Sequence, residues 1–163
     1  MTCCGARAGR RSLPARKDQA VRLALTKRAD YAIRAVLALA RAPRGERMSV
    51  RQLAADQAIP AAFLTRVMGD LVAGHLVDGV PGRTGGYWLA RRPDDVSLLD
   101  IIEAVEGDVR RRGCILHGGP CRLNGVCAVH PVFATAQDDL LERLERARVA
   151  DLIGGPAPVR TRR

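Results

Sequence analysis

At 163 residues the chain is large enough for one modest hydrophobic core and too short for two, so any second function must share that core. Its formal charge of +10 suits a polyanionic partner such as nucleic acid. No apolar run is long enough for a signal peptide or a transmembrane helix, which predicts a cytoplasmic protein without a membrane partner.

The positive charge is unevenly distributed along the chain. Residues 21–92 hold twelve Lys and Arg against five Asp and Glu, whereas residues 93–159 hold seven against eleven. Residues 1–20 carry a net +4, and three arginines in residues 160–163 add +3. We therefore expect the first half of the body to face phosphate and the second half not to.

Both ends of the chain are predicted to be disordered. Residues 1–22 form a basic extension whose Gly, Arg and Ser content cannot bury a core, and residues 154–163 form a basic tail. Cys3 and Cys4 lie in this extension, where adjacent cysteines are more often incidental than functional, so neither is taken as a ligand. The sequence leaves open whether the protein starts at Met1 or at Val21.

Residues 23–92 predict a DNA-binding domain that begins with an amphipathic helix. Thr26 is the expected cap of this helix, and Pro43 and Gly45 end it. Its apolar residues recur at i, i+3, i+4, i+7 and i+8 and form one stripe: Ala32, Ala35, Val36, Leu39 and Ala40.

The next segment predicts a helix-turn-helix. Ser49 and Gln52 have the spacing of a capping box and open a short second helix, which ends near Gln57. Pro60 makes the turn, because proline restricts the residue before it and suits the first turn of a following helix. The third helix, residues 61–73, is expected to lie in the DNA major groove.

The third helix has one apolar and one exposed side. The apolar side is predicted to contain Leu64, Val67, Met68, Leu71 and Val72. Phe63 is expected to be buried, with contact to a thymine methyl group as the alternative. The outward side holds Ala61, Ala62, Thr65, Arg66 and Gly69.

A wing follows the third helix. Residues 76–77 and 87–89 are strand-like and flank a glycine-rich loop, residues 78–86, whose glycines permit close backbone approach to DNA. Arg83 and Thr84 lie at its tip and are placed to reach a phosphate or the minor groove. The predicted DNA contacts are therefore Ser49, Ala61, Ala62, Thr65, Arg66, Arg83 and Thr84.

Residues 93–153 predict a linking helix, a cysteine loop and a dimerisation helix. Ser97 caps the linking helix and Gly107 closes it. Pro131 opens the longest amphipathic pattern, whose apolar residues have a spacing close to 3.5: Phe133, Ala136, Leu140, Leu144 and Ala147. A seam of this kind predicts a homodimer, with packing on its own domain as the alternative.

Three cysteines lie between these two helices, at Cys114, Cys121 and Cys127. Thiolates at this density predict an iron-sulfur or other metal site, since five cysteines and no export signal make a disulfide framework improbable. A structural zinc site completed by His130 is the alternative, although the gaps exceed usual zinc spacing. A cysteine-dependent enzyme that uses His117 or His130 is a distant third.

The chain resembles the bacterial Rrf2 family of winged-helix regulators over roughly residues 23–153. The resemblance is carried by LTKRADYAIR (residues 25–34), GRTGGY (82–87), LDIIEAVE (99–106) and the three cysteines with gaps of six and five residues. It implies a mainly α fold with a small β wing, and a dimeric transcription factor on a palindromic double-stranded operator. It also implies a two-iron or four-iron cluster on the cysteines.

The resemblance leaves two candidates for the fourth cluster ligand. Some members place an aspartate at the position of Asp30, reaching the partner subunit's cluster, and others place a histidine at the position of His130. Asp30 has an alternative role in the first helical turn as an i,i+4 partner of Arg34. Where some members carry an arginine before the wing glycine, this chain has Pro81, so the wing contact is assigned to Arg83. We expect cluster loss or reaction to alter DNA affinity, and the resemblance leaves repression, activation and the signal open.

Overall fold

The computed structural model describes residues 25–43, 45–82, 85–109 and 128–154. The described residues form six helices and a two-stranded sheet, which confirms the predicted mainly α fold with a small β wing. The predicted extension, and the predicted tail beyond Gly154, lie outside the described residues. Within them, no helix combines the length and the apolar character needed to cross a bilayer.

Helix α1 (Lys27–Arg41) begins at the predicted cap and forms the centre of the core. The Thr26 hydroxyl accepts a hydrogen bond from the amide of Ala29 at 3.1 Å. The helix packs against most other elements, including the helices that follow the wing. Its buried residues are mostly small: Ala29, Ala32, Ala35, Val36, Ala38 and Leu39.

Helices α2 (Val50–Gln57) and α3 (Ala61–Ala73) form the helix-turn-helix, with the predicted capping box between Ser49 and Gln52. Ala58 ends α2 in the left-handed region at φ 51°, which turns the chain toward α3. The buried face of α3 contains Leu64, Val67, Met68 and Leu71.

Two predictions about α3 were wrong. Val72 is 38% exposed, because it lies about 100° around the helix from Leu71 and at the edge of the buried stripe. Phe63 is also 38% exposed, and its ring meets the Tyr31 ring edge to face with centroids 5.3 Å apart. Phe63 precedes the buried Leu64 by one residue, so it lies about 100° away from that residue around the helix and at the margin of the core.

Strands β1 (Val77–Val80) and β2 (Gly86–Leu89) pair antiparallel and form the wing, with Val77 opposite Leu89. Strand β1 extends through part of the segment predicted as loop. Gly79 allows this pairing, since a Cβ there would lie 2.8 Å from the Tyr87 ring. Met48 pairs with Tyr87 through two backbone hydrogen bonds of 2.9 and 3.0 Å, which ties the start of the helix-turn-helix to the wing.

Helix α4 (Leu98–Glu106) links the winged helix-turn-helix, called the reader below (α1 to β2), to the C-terminal segment. Ser97 caps it and is 1% exposed; Gly107 ends it at φ 82°. The helix packs closely on α3, since a Cβ at Gly74 would lie 2.9 Å from the Cβ of Ala104. The Thr26 hydroxyl donates a 2.5 Å hydrogen bond to Glu106, which joins the start of α1 to the end of α4.

Helices α5 (His130–Arg146) and α6 (Val149–Ile153) complete the described chain. The break at Ala147 removes this residue from the predicted 3.5-residue seam, because its backbone carbonyl accepts from the amide of Leu98 at 3.0 Å instead. The amide of Val149 donates to Val96 at 2.9 Å, and the side chain of Val149 is fully buried. The C-terminal end of α5 is therefore attached to the core.

Replacing Ser97 by Ala should lower the free energy of unfolding by about 1–2 kcal/mol, because the amide of Asp100 would lose its capping partner in a buried setting. Chemical denaturation measures this loss. Ser49→Ala is the matched control and should cost less, since water reaches its more exposed cap. Equal losses for the two variants would show that burial of the Ser97 cap adds nothing.

Candidate nucleic-acid interface and metal-ligand positions

The exposed side of α3 contains the residues predicted to face DNA. All four side chains that make up this face at the start of α3 are exposed: Ala61, Ala62, Thr65 and Arg66. Because the two alanine side chains are small, DNA could come close to the start of the helix. The Thr65 hydroxyl donates to the carbonyl of Ala61 at 2.9 Å, so its oxygen is available to a base chiefly as an acceptor. No ion pair among the described residues holds Arg66, which leaves its guanidinium available for guanine or phosphate.

Ser49, one of the predicted DNA contacts, caps the start of α2. Its hydroxyl donates to Gln52 Oε1 at 2.7 Å, and its amide donates to the same oxygen at 2.8 Å. Both of its donors are thus engaged in the capping box. A phosphate at this helix start would more readily meet the exposed Arg51 on the first turn of α2.

The predicted tip residues of the wing, Arg83 and Thr84, lie outside the described residues, and a glycine stands on either side of them, at Gly82 and Gly85. Gly82 has φ 112°, a conformation that L side chains rarely adopt. A Cβ at Gly85 would lie 2.0 Å from the carbonyl oxygen of Val80, so only glycine fits there. Gly82 and Gly85 therefore determine the backbone conformation of the wing immediately before and after its two tip residues.

Sequence reasoning missed Arg47 beside the wing. Its guanidinium lies over the Trp88 ring, 4.8 Å from the centroid, and the side chain is exposed. This cation-π contact holds a positive charge beside the hairpin. The only signal in the sequence was the net +7 of residues 21–92, because neither helical nor strand periodicity assigns a side to a residue in a loop.

The three predicted cysteine ligands, Cys114, Cys121 and Cys127, lie outside the described residues, as does His117. The described chain ends at Val109 after α4 and resumes at Ala128 before α5, so these residues lie in the segment between the two helices. Among the described residues, no group of three His, Cys, Asp or Glu side chains is arranged to hold a metal ion.

The two candidates for the fourth ligand are both accessible. The Asp30 side chain is 51% exposed on the first turn of α1, and its carboxylate lies 3.5 Å from the Arg34 guanidinium. The predicted i,i+4 pair is therefore formed, and a half-exposed carboxylate with one long ion pair retains oxygen lone pairs for another partner. His130 is exposed at the first position of α5. Hard oxygen and imidazole donors both occur beside thiolates in iron and zinc sites.

Comparison with known proteins gives a family match over residues 25–155, to the Rrf2 model described as an iron-dependent transcriptional regulator. The chain is 32% identical over 130 residues to the HTH-type transcriptional regulator NsrR of Halalkalibacterium halodurans, covering 79% of this chain and 89% of that protein.

Two solved structures share the fold. The global cysteine regulator CymR of B. subtilis superposes with a TM-score of 0.70 at 21% identity, covering 83% of this chain and 100% of that one. The T. potens IscR structure superposes with a TM-score of 0.65 at 23% identity, covering 86% of this chain and 93% of that one.

Arg66→Ala should weaken binding to a duplex that the parent protein selects from a random library, by about 1–3 kcal/mol if the guanidinium contacts a base. Fluorescence anisotropy measures the two Kd values. Arg92→Ala is the matched control, because Arg92 is an exposed arginine that is not part of α3 and is paired with Asp94 at 3.3 Å. If both variants bind like the parent, α3 does not read DNA through Arg66.

Proposed function

The chain belongs to the Rrf2 family of DNA-binding transcriptional regulators, and we propose that it is a homodimeric repressor that senses redox state, nitric oxide or iron through an iron-sulfur cluster. Three cysteines in the segment between α4 and α5 support this proposal most strongly. That segment follows a helix packed directly on the reader and precedes a helix that exposes two large apolar side chains, Val132 and Phe133.

The proposed cluster is held by Cys114, Cys121 and Cys127, with two or four irons. Asp30 of the partner subunit or His130 supplies the fourth ligand. When bound, such a cluster supplies a redox-active centre with an exchangeable position for a small reactant. The exposed Asp30 carboxylate suits a ligand given to a second subunit, because its own chain leaves it facing outward.

The proposed dimer forms through α5. This helix has 17 residues, and in the described segment 128–154 none of them is buried. Val132 is 69% exposed and Phe133 39% exposed, although both are large apolar side chains. While these apolar side chains face water, the free energy of burying them is not gained. Packing two copies of α5 together would gain it. A two-fold dimer in turn fits a palindromic operator.

The described contacts supply a route between the cysteine segment and the reader. The segment begins where α4 ends, and the terminal Glu106 of α4 is hydrogen-bonded to Thr26 at the start of α1. The same helix meets α3 through Ala104 and Gly74 without room for a methyl group. A displacement at the end of α4 therefore moves α1 or α3, since these close contacts cannot absorb it. In a dimer, such a movement changes the spacing of the two reading helices.

Protein purified without oxygen should absorb visible light and contain iron and acid-labile sulfide, and Cys121→Ala should lose most of both. Cys3→Ala is the matched control, since it removes a cysteine outside the proposed ligand set, and it should keep the parent's iron and sulfide. Colourless parent protein without sulfide would contradict the proposal. Zinc in place of iron, lost in Cys121→Ala, would favour the structural zinc site instead.

Asp30→Ala and His130→Ala then assign the fourth ligand. The visible spectrum should change in the variant that lacks the ligand and should stay that of the parent in the other. Unchanged spectra in both would exclude both residues and point to a ligand outside the described residues.

Phe133→Glu should convert the dimer to a monomer of 17.6 kDa, because a charge would enter the apolar seam between two copies of α5. Sedimentation equilibrium measures the mass. Thr135→Glu is the matched control, since it adds the same charge on the opposite side of α5 and should leave the dimer intact. A parent protein that is already monomeric at micromolar concentration would contradict the proposed assembly.

A further inference from the structure

One edge of the recognition helix α3 is held by side chains from a single turn of α1. The Arg28 guanidinium donates from Nε at 3.2 Å and from an Nη at 2.6 Å to one carboxylate oxygen of Asp70. One turn further along α1, the Tyr31 ring meets the Phe63 ring edge to face, with an interplanar angle of 88°. Two contacts of different chemistry thus join the same pair of helices.

The two contacts lie at opposite ends of α3. Phe63 is near its start and Asp70 near its end, seven residues apart and therefore on the same side of the helix after about two turns. Arg28 and Tyr31 are three residues apart and likewise share one side of α1. Two separated contacts on one edge therefore add to the buried face of α3 in limiting its rotation about its own axis.

The exposed residues Thr65 and Arg66 lie between these two contacts in the sequence of α3. A rotation of α3 would move both side chains sideways relative to a DNA groove. Base recognition depends on hydrogen-bond geometry, whereas attraction to phosphate depends mainly on charge. Rotational control of α3 should therefore affect sequence-specific binding more than non-specific binding.

The burial of the ion pair indicates that it contributes to orientation more than to stability. The Arg28 side chain is 46% exposed and the Asp70 side chain 29% exposed. Ion pairs with this degree of solvent access add little to folding stability. Two donors on one acceptor oxygen nevertheless fix the relative positions of the two side chains.

We propose that Arg28 and Tyr31 are positioning residues for DNA reading, which set the rotation of α3 through Asp70 and Phe63. They control the ratio of specific to non-specific affinity without contacting a base. This inference rests on α3 being the DNA-reading helix, and it requires neither the cluster nor its ligands.

The effect of Asp70→Asn separates this role from simple electrostatics. Removing a negative charge from a DNA-reading helix should raise affinity for every duplex if charge alone matters. Loss of the Arg28 contact should instead lower affinity for the selected duplex by about tenfold, the scale of a misplaced base contact. Affinity for a random-sequence duplex should stay the same or rise.

The matched control for charge is Asp56→Asn, which removes an exposed carboxylate from α2. It should raise affinity for the selected and the random duplex alike. Arg28→Gln tests the other partner of the ion pair and should lower the specificity ratio like Asp70→Asn. The variant with both substitutions should lose no more specificity than either alone, because both break the same contact.

The salt dependence of binding tests whether Arg28 touches phosphate directly. A lost phosphate contact should reduce the slope of log K against log salt by about 0.9 and weaken both duplexes equally. The proposal predicts an unchanged slope for Arg28→Gln. Tyr31→Leu, which breaks the ring contact without changing charge, should lower the specificity ratio as well.

Unchanged specificity ratios in Asp70→Asn and Tyr31→Leu, with parent-like thermal melting, would overturn the proposal. A reduced salt slope in Arg28→Gln would also overturn it, in favour of a phosphate contact. A parent protein that selects no duplex at all would instead contradict DNA reading by α3, which is a separate result.

Discussion

The structure depends on how closely other helices approach the alanine-lined side of α1. Ala29, Ala32 and Ala35 are buried there, and their small side chains bring α1 within reach of α3, α4 and α6. Displacement of one part of such a core moves whole elements, since closely packed side chains transmit strain. The same helix carries Asp30 and the two side chains that contact α3, so a proposed ligand and the reading helix share one rigid support.

Helix α4 extends this support toward the cysteine segment. The buried Ser97 fixes its start, and the bond between Glu106 and Thr26 fixes its end against α1. Helix α5 differs, because its C-terminal end is attached through the residues around Ala147, whereas Val132 and Phe133 near its start stay exposed. The chain thus combines a rigid reader with a helix suited to a second copy, and the cysteines lie between them.

Local chemistry made much of this fold predictable from the sequence. Thr26, Ser49 and Ser97 cap their helices as expected, because capping depends on residues within one turn. The wrong predictions for Phe63 and for the end of α5 concern contacts between distant residues, whereas Val72 lies at the edge of the buried stripe. Neither the partial exposure of Phe63 beside Tyr31 nor the end of α5 at Arg146 has a local signal, since both depend on tertiary partners. The exposed side of α3 was predictable from helical periodicity, whereas the Arg47 contact with Trp88 and the Arg28 contact with Asp70 were not.

The central claim is that the condition of a cluster on three cysteines governs how the dimer binds DNA. Its most direct test is an anaerobic anisotropy titration of one selected duplex, with cluster-loaded protein and with the same preparation after iron removal by chelation. We predict Kd values that differ by about 5-fold to 150-fold, the usual range of coupling between two sites. Equal Kd values for the two forms would contradict the account.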